Sequence, residues 1–392
     1  MIRNSLFQKP NLLILGAGPV GLTASHLMSS HYDITLIDQV VPIEKPKEFS
    51  SQVVSLIKPS LEMLSKVIDL NEVLMRPYYK VRCLVDDVPF GFPIEASIVD
   101  VSSLKYELYT RLPSNVTVVQ GKLEQVLNLK DKVDITCNKE VYTAGLALNT
   151  LGKYNKYSST IEKYDYEEMG VVAHLTLENE NKIAYQRFLP TGPIAILPTS
   201  NNTASMVWTL PKKLAQSVLS MKDEKLKLNI INCALSNPEE YIEYMLNNIE
   251  ESIAPIPSIH FPTIRSTTSF KSFPLSFHHL RDYHSNSLVS IGDSAHSIHP
   301  LAGMGLNLGL GDVASFKRTV DNLSNMDPTA LLKAFEKDSH SRNTSMIIGC
   351  DFLHDIFTYR NSILSASRNI GLQFFQPSTI WSSFLNSRIN KL

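Results

Sequence analysis

The chain has 392 residues, 43% hydrophobic and 19% charged, a balance that permits a sizeable core and excludes an intrinsically disordered chain. Its 37 Lys and Arg offset 38 Asp and Glu to a net charge of -1, so charge points to no nucleic-acid partner. Cys83, Cys137, Cys233 and Cys350 lie far apart with no CxxC or zinc-finger spacing, a chain this long is not expected to rest on a disulfide framework, and no apolar run reaches the roughly 20 residues of a membrane span.

The opening residues, MIRNSLFQKP, are too short and polar for a signal peptide. A reduced, cytoplasmic protein is expected, with a peripheral seat on the inner membrane left open. In chain order, Asn11–Leu15 reads as a buried strand, followed by a glycine turn, a helix to about Ser30 and a second strand at Ile34–Asp38. Residues 79–100 read as extended segments split by Pro89 and Pro93, and Ser102–Leu112 as a helix with a Ser N-cap. Asn115–Gln120, Val133–Cys137 and Leu146–Thr150 are further strands. Glu168–Glu178, Ile183–Leu189, Ile194–Pro198 and Ala204–Leu210 follow with turn residues between them, the pattern of an antiparallel sheet. Helices are expected over 212–233 and 237–253, a strand over 266–277, a buried strand at Leu288–Ile291, and helix from about 305 onward.

Two motifs carry chemistry. Gly16, Ala17, Gly18, Pro19, Val20 and Gly21 form a GxGxxG turn between strand and helix. Its glycines allow a tight turn, close approach to a pyrophosphate and close helix packing, and the helix N-terminus favours phosphate. Asp38 ends the next strand, where a carboxylate accepts hydrogen bonds from a ribose diol. The second motif runs from Ile291 to Asn307. Asp293 sits where sugar-like hydroxyls could be bound. Pro300, Gly303, Gly305, Leu306 and Asn307 lead into a new helix whose N-terminus would stabilise negative charge on a flat ring. His296 and His299 have no third partner at metal-ligand spacing, so no metal is expected.

Together these motifs resemble the class A FAD-dependent aromatic monooxygenases, most closely the ubiquinone-biosynthesis (polyprenylphenol) hydroxylase subgroup. Gln186–Pro193, Leu197-Pro198 and Val207-Trp208 share the likeness. The resemblance implies an α/β protein. A glutathione-reductase-type, Rossmann-like FAD-binding domain is expected over 1–78, 101–165 and 280–345. An inserted mixed or antiparallel-sheet substrate domain is expected over 79–100 and 166–279, and a helical C-terminal stretch over 346–392. It implies ring hydroxylation of a polyprenylated phenol through a flavin C4a-hydroperoxide, with O2 as co-substrate, NAD(P)H as electron donor and quinone-biosynthesis proteins as partners. Gly16, Ala17, Gly18, Pro19 and Gly21 would cradle the FAD pyrophosphate, Asp38 the adenosine ribose and Asp293 the ribityl chain. Pro300 through Asn307 would line the flavin. No catalytic residue is identified.

Two positions depart from the family pattern. Gln52 stands where Arg is usual near the flavin, and Leu151 replaces the acid of the Gly-Ala-Asp-Gly stretch. Gly311 also stands where Arg is common. Reduction by NAD(P)H is therefore in question, and the rival reading is a weakly active or non-catalytic accessory component of a quinone-biosynthesis complex.

Overall fold

A computed structural model describes residues 9–85, 88–153, 161–237, 239, 241, 245, 261–299, 303–323 and 328–358. In chain order the elements are β1 (Asn11–Leu15), α1 (Pro19–Met28), β2 (Asp33–Asp38), β3 (Val53–Ile57), α2 (Lys58–Leu64), β4 (Met75–Val85), β5 (Val88–Asp100) and α3 (Val101–Thr110). Then come β6 (Val116–Gln120), β7 (Leu123–Asn128), β8 (Val133–Cys137), β9 (Glu140–Ala144), β10 (Leu146–Asn149), β11 (Ile161–Leu177), β12 (Ala184–Leu189), β13 (Gly192–Pro198) and β14 (Thr203–Pro211). The last are α4 (Lys212–Ser220), α5 (Glu224–Ser236), β15 (Ile264–Leu280), β16 (His284–Ser285), β17 (Leu288–Ser290), β18 (His296–Ser297), α6 (Gly305–Leu323) and α7 (Pro328–Thr358).

The expected α/β architecture is present. A six-stranded sheet has the order β16-β17-β10-β1-β2-β6, with β1 parallel to both β2 and β10. Leu12 through Leu15 are all buried, because a central parallel strand is covered on both faces. On one side α1, α3, α6 and α7 close a core with Leu12, Ile14, Leu22, Leu104, Phe316 and Phe335. On the other, β7, β8 and β9 form a small antiparallel sheet that packs Val133 and Ile135 against Leu13 and Leu15.

The second large sheet is mixed, with nine strands in the order β18-β15-β11-β14-β13-β12-β4-β5-β3. Its back face buries Val171, Ile194, Met206 and Trp208 under α4 and α5. Alternation along each strand sends the intervening residues to the front. Sheet membership departs from the expected domain bounds. Val53–Ile57 pairs with β5, and β4 begins at Met75, so both lie in the nine-stranded sheet ahead of residue 79. Strand β11 begins at Ile161 and β15 ends at Leu280.

Local differences from the sequence reading have local causes. The helix expected over 212–233 is two helices, because Asp223 accepts from Lys225 N and Leu226 N and restarts the chain as an N-cap. The N-cap of α3 is Asp100, which accepts from Ser103 N, rather than Ser102. Pro89 and Pro93 do not split the chain: β4 and β5 run as one long hairpin. The helix expected over 237–253 and the C-terminal stretch beyond 358 lie outside the described residues, apart from isolated positions in the former.

Candidate functional site

The glycine turn links β1 to α1. Gly16 has φ +105, a left-handed value that strains any residue with a side chain. A Cβ on Gly21 would lie 1.9 Å from Gly16 O, so the third glycine is where helix meets turn. Gly18 differs: a Cβ there would meet nothing within 4 Å. It borders open space at the α1 N-terminus, where Pro19 is the first helical residue. Asp38 closes this turn from the next strand. One carboxylate oxygen accepts from Ala17 N and the other from Val40 N at 2.9 Å. Each oxygen retains a lone pair for a further donor.

Thr150 forms the adjoining wall, donating from Oγ1 to Leu15 O at 2.7 Å and Gly16 O at 2.9 Å. Gly152 N donates to Ser294 Oγ at 2.8 Å, which joins this wall to the second motif. There Gly292–Ser294 is a single 3-10 turn. Asp293 is exposed, and its Oδ1 lies 3.9 Å from where a Gly305 Cβ would stand. Protein crowded around it desolvates the carboxylate and raises its pKa, against the attraction of His296 and Lys153.

The turn is held from beneath by Asp312, fully buried in α6. Its Oδ2 accepts from Gly292 N at 3.0 Å and pairs with His296 Nε2 at 2.7 Å. Its Oδ1 accepts from Arg342 Nη2 at 2.6 Å and Asn343 Nδ2 at 2.8 Å, both on α7. Burial alone would raise the Asp312 pKa. His296, Arg342 and Asn343 outweigh it and hold the carboxylate below its ordinary range. His278, in β15, bonds the Asp293 backbone from the other side.

Gly305 begins α6, whose first amides have no partner within the helix. Asn307 is turned into the protein. Its Oδ1 accepts from Ile57 N at 3.1 Å and Ser60 Oγ at 2.9 Å, and its Nδ2 donates to Ser55 O at 2.8 Å. It therefore ties α6 to β3 and α2, and its side chain is spent there rather than on a ligand. Leu306 packs against the core under α6, and Gly303 turns with φ +59 beside Ser55. Pro300 lies outside the described residues.

The front face of the nine-stranded sheet meets this loop. The paired positions Val172–Val207–Ala195–Gln186–Cys83 cross it as one row. The row is mostly apolar, and burial pushes the Cys83 thiol up to about 12, so it behaves as a hydrophobe. Ile94 continues this surface into Ile298, Met304 and Leu308 of the loop and α6. Trp208 belongs to the opposite, helix-covered face and Phe188 stacks on Phe90.

The departures have clear settings. Gln52 is exposed just ahead of β3. Leu151 packs against the apolar cluster that includes Leu13, Leu15 and Ile37. Gly311 lines a groove of about 920 Å³ with Ile57, Met63, Tyr79 and Ile94. Lys212, at the start of α4, pairs with Asp165 and Glu167 at 2.9 and 3.1 Å. His278 and His279 are buried in β15. Among the described residues no group of His, Cys, Asp and Glu has the arrangement of a metal site.

Residues 176–347 match the model of the FAD binding domain. Ubiquinone biosynthesis monooxygenase COQ6, mitochondrial, of Xenopus tropicalis is 32% identical over 229 residues, 54% of this chain and 49% of the relative. Its Homo sapiens counterpart is 31% identical over 227 residues, 54% and 48% of the two chains. The Drosophila melanogaster protein is 30% identical over 321 residues, 76% and 65%. The chain spans about half the length of the first two relatives. Among solved structures, p-nitrophenol 4-monooxygenase PnpA from Pseudomonas putida aligns with a TM-score of 0.70 at 13% identity over 98% of each chain. The probable FAD-dependent monooxygenase pqsL from Pseudomonas aeruginosa aligns with a TM-score of 0.69 at 14% identity, over 93% of this chain and 100% of that one. The motif resemblance is thus borne out. The chain is related to the ubiquinone-biosynthesis monooxygenases and has the fold of FAD-dependent monooxygenases.

Proposed function

We propose that this chain is an FAD-dependent monooxygenase that hydroxylates the aromatic ring of a polyprenylated phenol in ubiquinone biosynthesis. One observation carries the reading: the Gly16–Gly21 turn, closed by Asp38, and the Asp293 turn beside Gly305 of α6 are joined side by side, through Thr150 on Gly16, Gly152 on Ser294 and Val20 lying beside Gly292 and Gly309. The fit to FAD is local and chemical. Gly18 leaves room for a pyrophosphate, Asp38 and Asp293 offer acceptors to sugar and ribityl hydroxyls, and the α6 amides favour a negatively charged ring edge.

FAD, when bound, supplies the redox chemistry: two electrons pass to O2, one oxygen atom enters the phenol ring and the other leaves as water. The protein's part is geometry and dryness. The Asp312 hub fixes the turn that carries Asp293. The row Val172–Val207–Ala195 gives an aromatic substrate an apolar wall that excludes water. A long hydrophobic chain on the substrate is consistent with this surface. NAD(P)H is the proposed donor. The exposed Gln52 and the packed Leu151 supply neither the charge nor the acid of the family pattern, so this reduction is slow. The non-catalytic alternative is not favoured, because the curated relatives are named monooxygenases.

No helix among the described residues is long and apolar enough to cross a membrane. The curated relatives are named as mitochondrial, and a peripheral seat at the inner membrane, beside quinone-biosynthesis proteins, suits a polyprenylated substrate. The test of the cofactor is direct. The purified chain is yellow and releases FAD on denaturation; a colourless protein that gains no flavin signal on incubation with FAD overturns the reading.

A further inference from the structure

The front face of the sheet carries one carboxylate at the point where it meets the loop of the second motif. Glu168 follows Glu167, whose φ of +57 is unusual for a residue with a side chain. The register of β11 against β15 slips between Asp165 and Met169 at the same place. Such a bulge re-aims a side chain. Here Lys212 holds Asp165 and Glu167 on the outside, and Glu168 turns inward. Its Oε2 lies 3.3 Å from His299 Nε2. The His299 ring is fully buried and meets the Tyr166 ring edge-on, with centroids 5.1 Å apart. These two residues are 131 positions apart in sequence and join the substrate-facing sheet to the loop that leads to Gly303 and Gly305.

We propose that Glu168 and His299 are positioning residues that set the loop lining the flavin against the substrate-facing sheet. The inference rests on the monooxygenase reading. A ring carbon and the transferred oxygen must be placed within a few tenths of an ångström, and a misplacement of about 1 Å can cost roughly 100-fold in rate. A tie across the cleft fixes that separation. Without it, oxygen activation continues but its product escapes as hydrogen peroxide.

The experiment uses full-length protein loaded with FAD, photoreduced without NAD(P)H, then mixed with O2 and 2-geranylphenol. Hydroxylated product and peroxide per flavin are counted. Glu168→Ala and His299→Ala each shift the balance from product to peroxide by about fivefold or more, whereas FAD affinity stays within about twofold. Glu168→Gln, which keeps the hydrogen bond, restores most of the product. The double variant is no worse than either single one, as expected of two residues acting as a unit. Unchanged product yield in both alanine variants overturns the proposal.

A wild type that hydroxylates no phenol would instead mark failure of the monooxygenase reading. The tie is then judged by amide hydrogen exchange at residues 296–299 of the flavin-free protein. Glu168→Ala speeds exchange there if the tie exists, and equal exchange overturns it. Faster exchange with unchanged product yield in an active enzyme also overturns the positioning role.

Discussion

The Asp312 carboxylate accepts a hydrogen bond from Arg342 at 2.6 Å, joining α6 to α7 with side chains 0% and 11% exposed. The same carboxylate holds Gly292 N, so the long helix α7 reaches the Asp293 turn through one residue. A charge buried this deeply depends on its partners.

Removing one partner therefore costs more than an ordinary surface change. Arg342→Met is expected to lower stability by about 3–5 kcal/mol, read by urea denaturation. FAD affinity falls with it, because the Asp293 turn loosens. A loss under about 1 kcal/mol, the range of an exposed ion pair, would show that water satisfies Asp312 in place of α7.

Two glycines of one turn should behave oppositely. Gly21→Ala puts a methyl group on Gly16 O and is expected to cost about 3 kcal/mol or more of apoprotein stability. Gly18 already has extended φ and ψ of -74 and 175 with open space beside it. Gly18→Ala should change apoprotein stability by less than about 0.5 kcal/mol and still weaken FAD binding at least tenfold. Thermal melts with and without FAD separate the two. Equal FAD affinity in Gly18→Ala would place the pyrophosphate elsewhere.

The pH dependence of stability has a definite sign. Burial lowers His278 from 6.5 to about 4. His279 falls to about 4 through burial and its histidine neighbours His340 and His296. Both are neutral in the fold and take up protons on unfolding between those values. Their stabilisation is complete above about pH 6.5 and is lost as pH falls toward 4, by on the order of 3 kcal/mol each. Denaturation at pH 7, 5.5 and 4 reads the slope. His278→Gln/His279→Gln should flatten it; an unchanged slope would assign acid sensitivity to other groups.

Flavin reduction by NAD(P)H should be slow in the wild type and faster in Gln52→Arg/Leu151→Asp, about tenfold for each 1.36 kcal/mol recovered. Leu151→Asp carries a cost, since Leu151 packs on Leu13 and Leu15, of about 1–3 kcal/mol in stability. Stopped-flow reduction decides the matter. Rapid reduction in the wild type with no gain in the variant shows that neither position limits the step.

Local chemistry was the legible part of the sequence. The β1–turn–α1 unit and Asp38 span 28 residues, and strand, glycines and acid all announce themselves within it. The strands from 168 to 211 are readable from their turns, whereas the start of β11 at Ile161 is not. What escaped depends on distance. Asn307 lies 250 residues from Ile57, so nothing near it reveals that its amide is consumed by β3. Glu168 and His299 are a similar case. Strand β3 escapes because three half-buried residues are followed by two buried ones without alternation, and β7 and β9 because most of their residues are exposed or half-buried. Asp100 is hard to recognise as the α3 cap because Ser102 stands closer to the apolar run.

The central claim is oxygen insertion into a phenol ring. The most direct measurement is a single turnover of photoreduced, FAD-loaded protein with 2-geranylphenol under 18O2, followed by mass spectrometry of the phenol. The proposed chemistry predicts product heavier by one labelled oxygen atom, with the label absent when 18O is supplied only as water. Complete conversion of O2 to hydrogen peroxide, with the phenol recovered unchanged across short- and long-chain prenylated analogues, would contradict it.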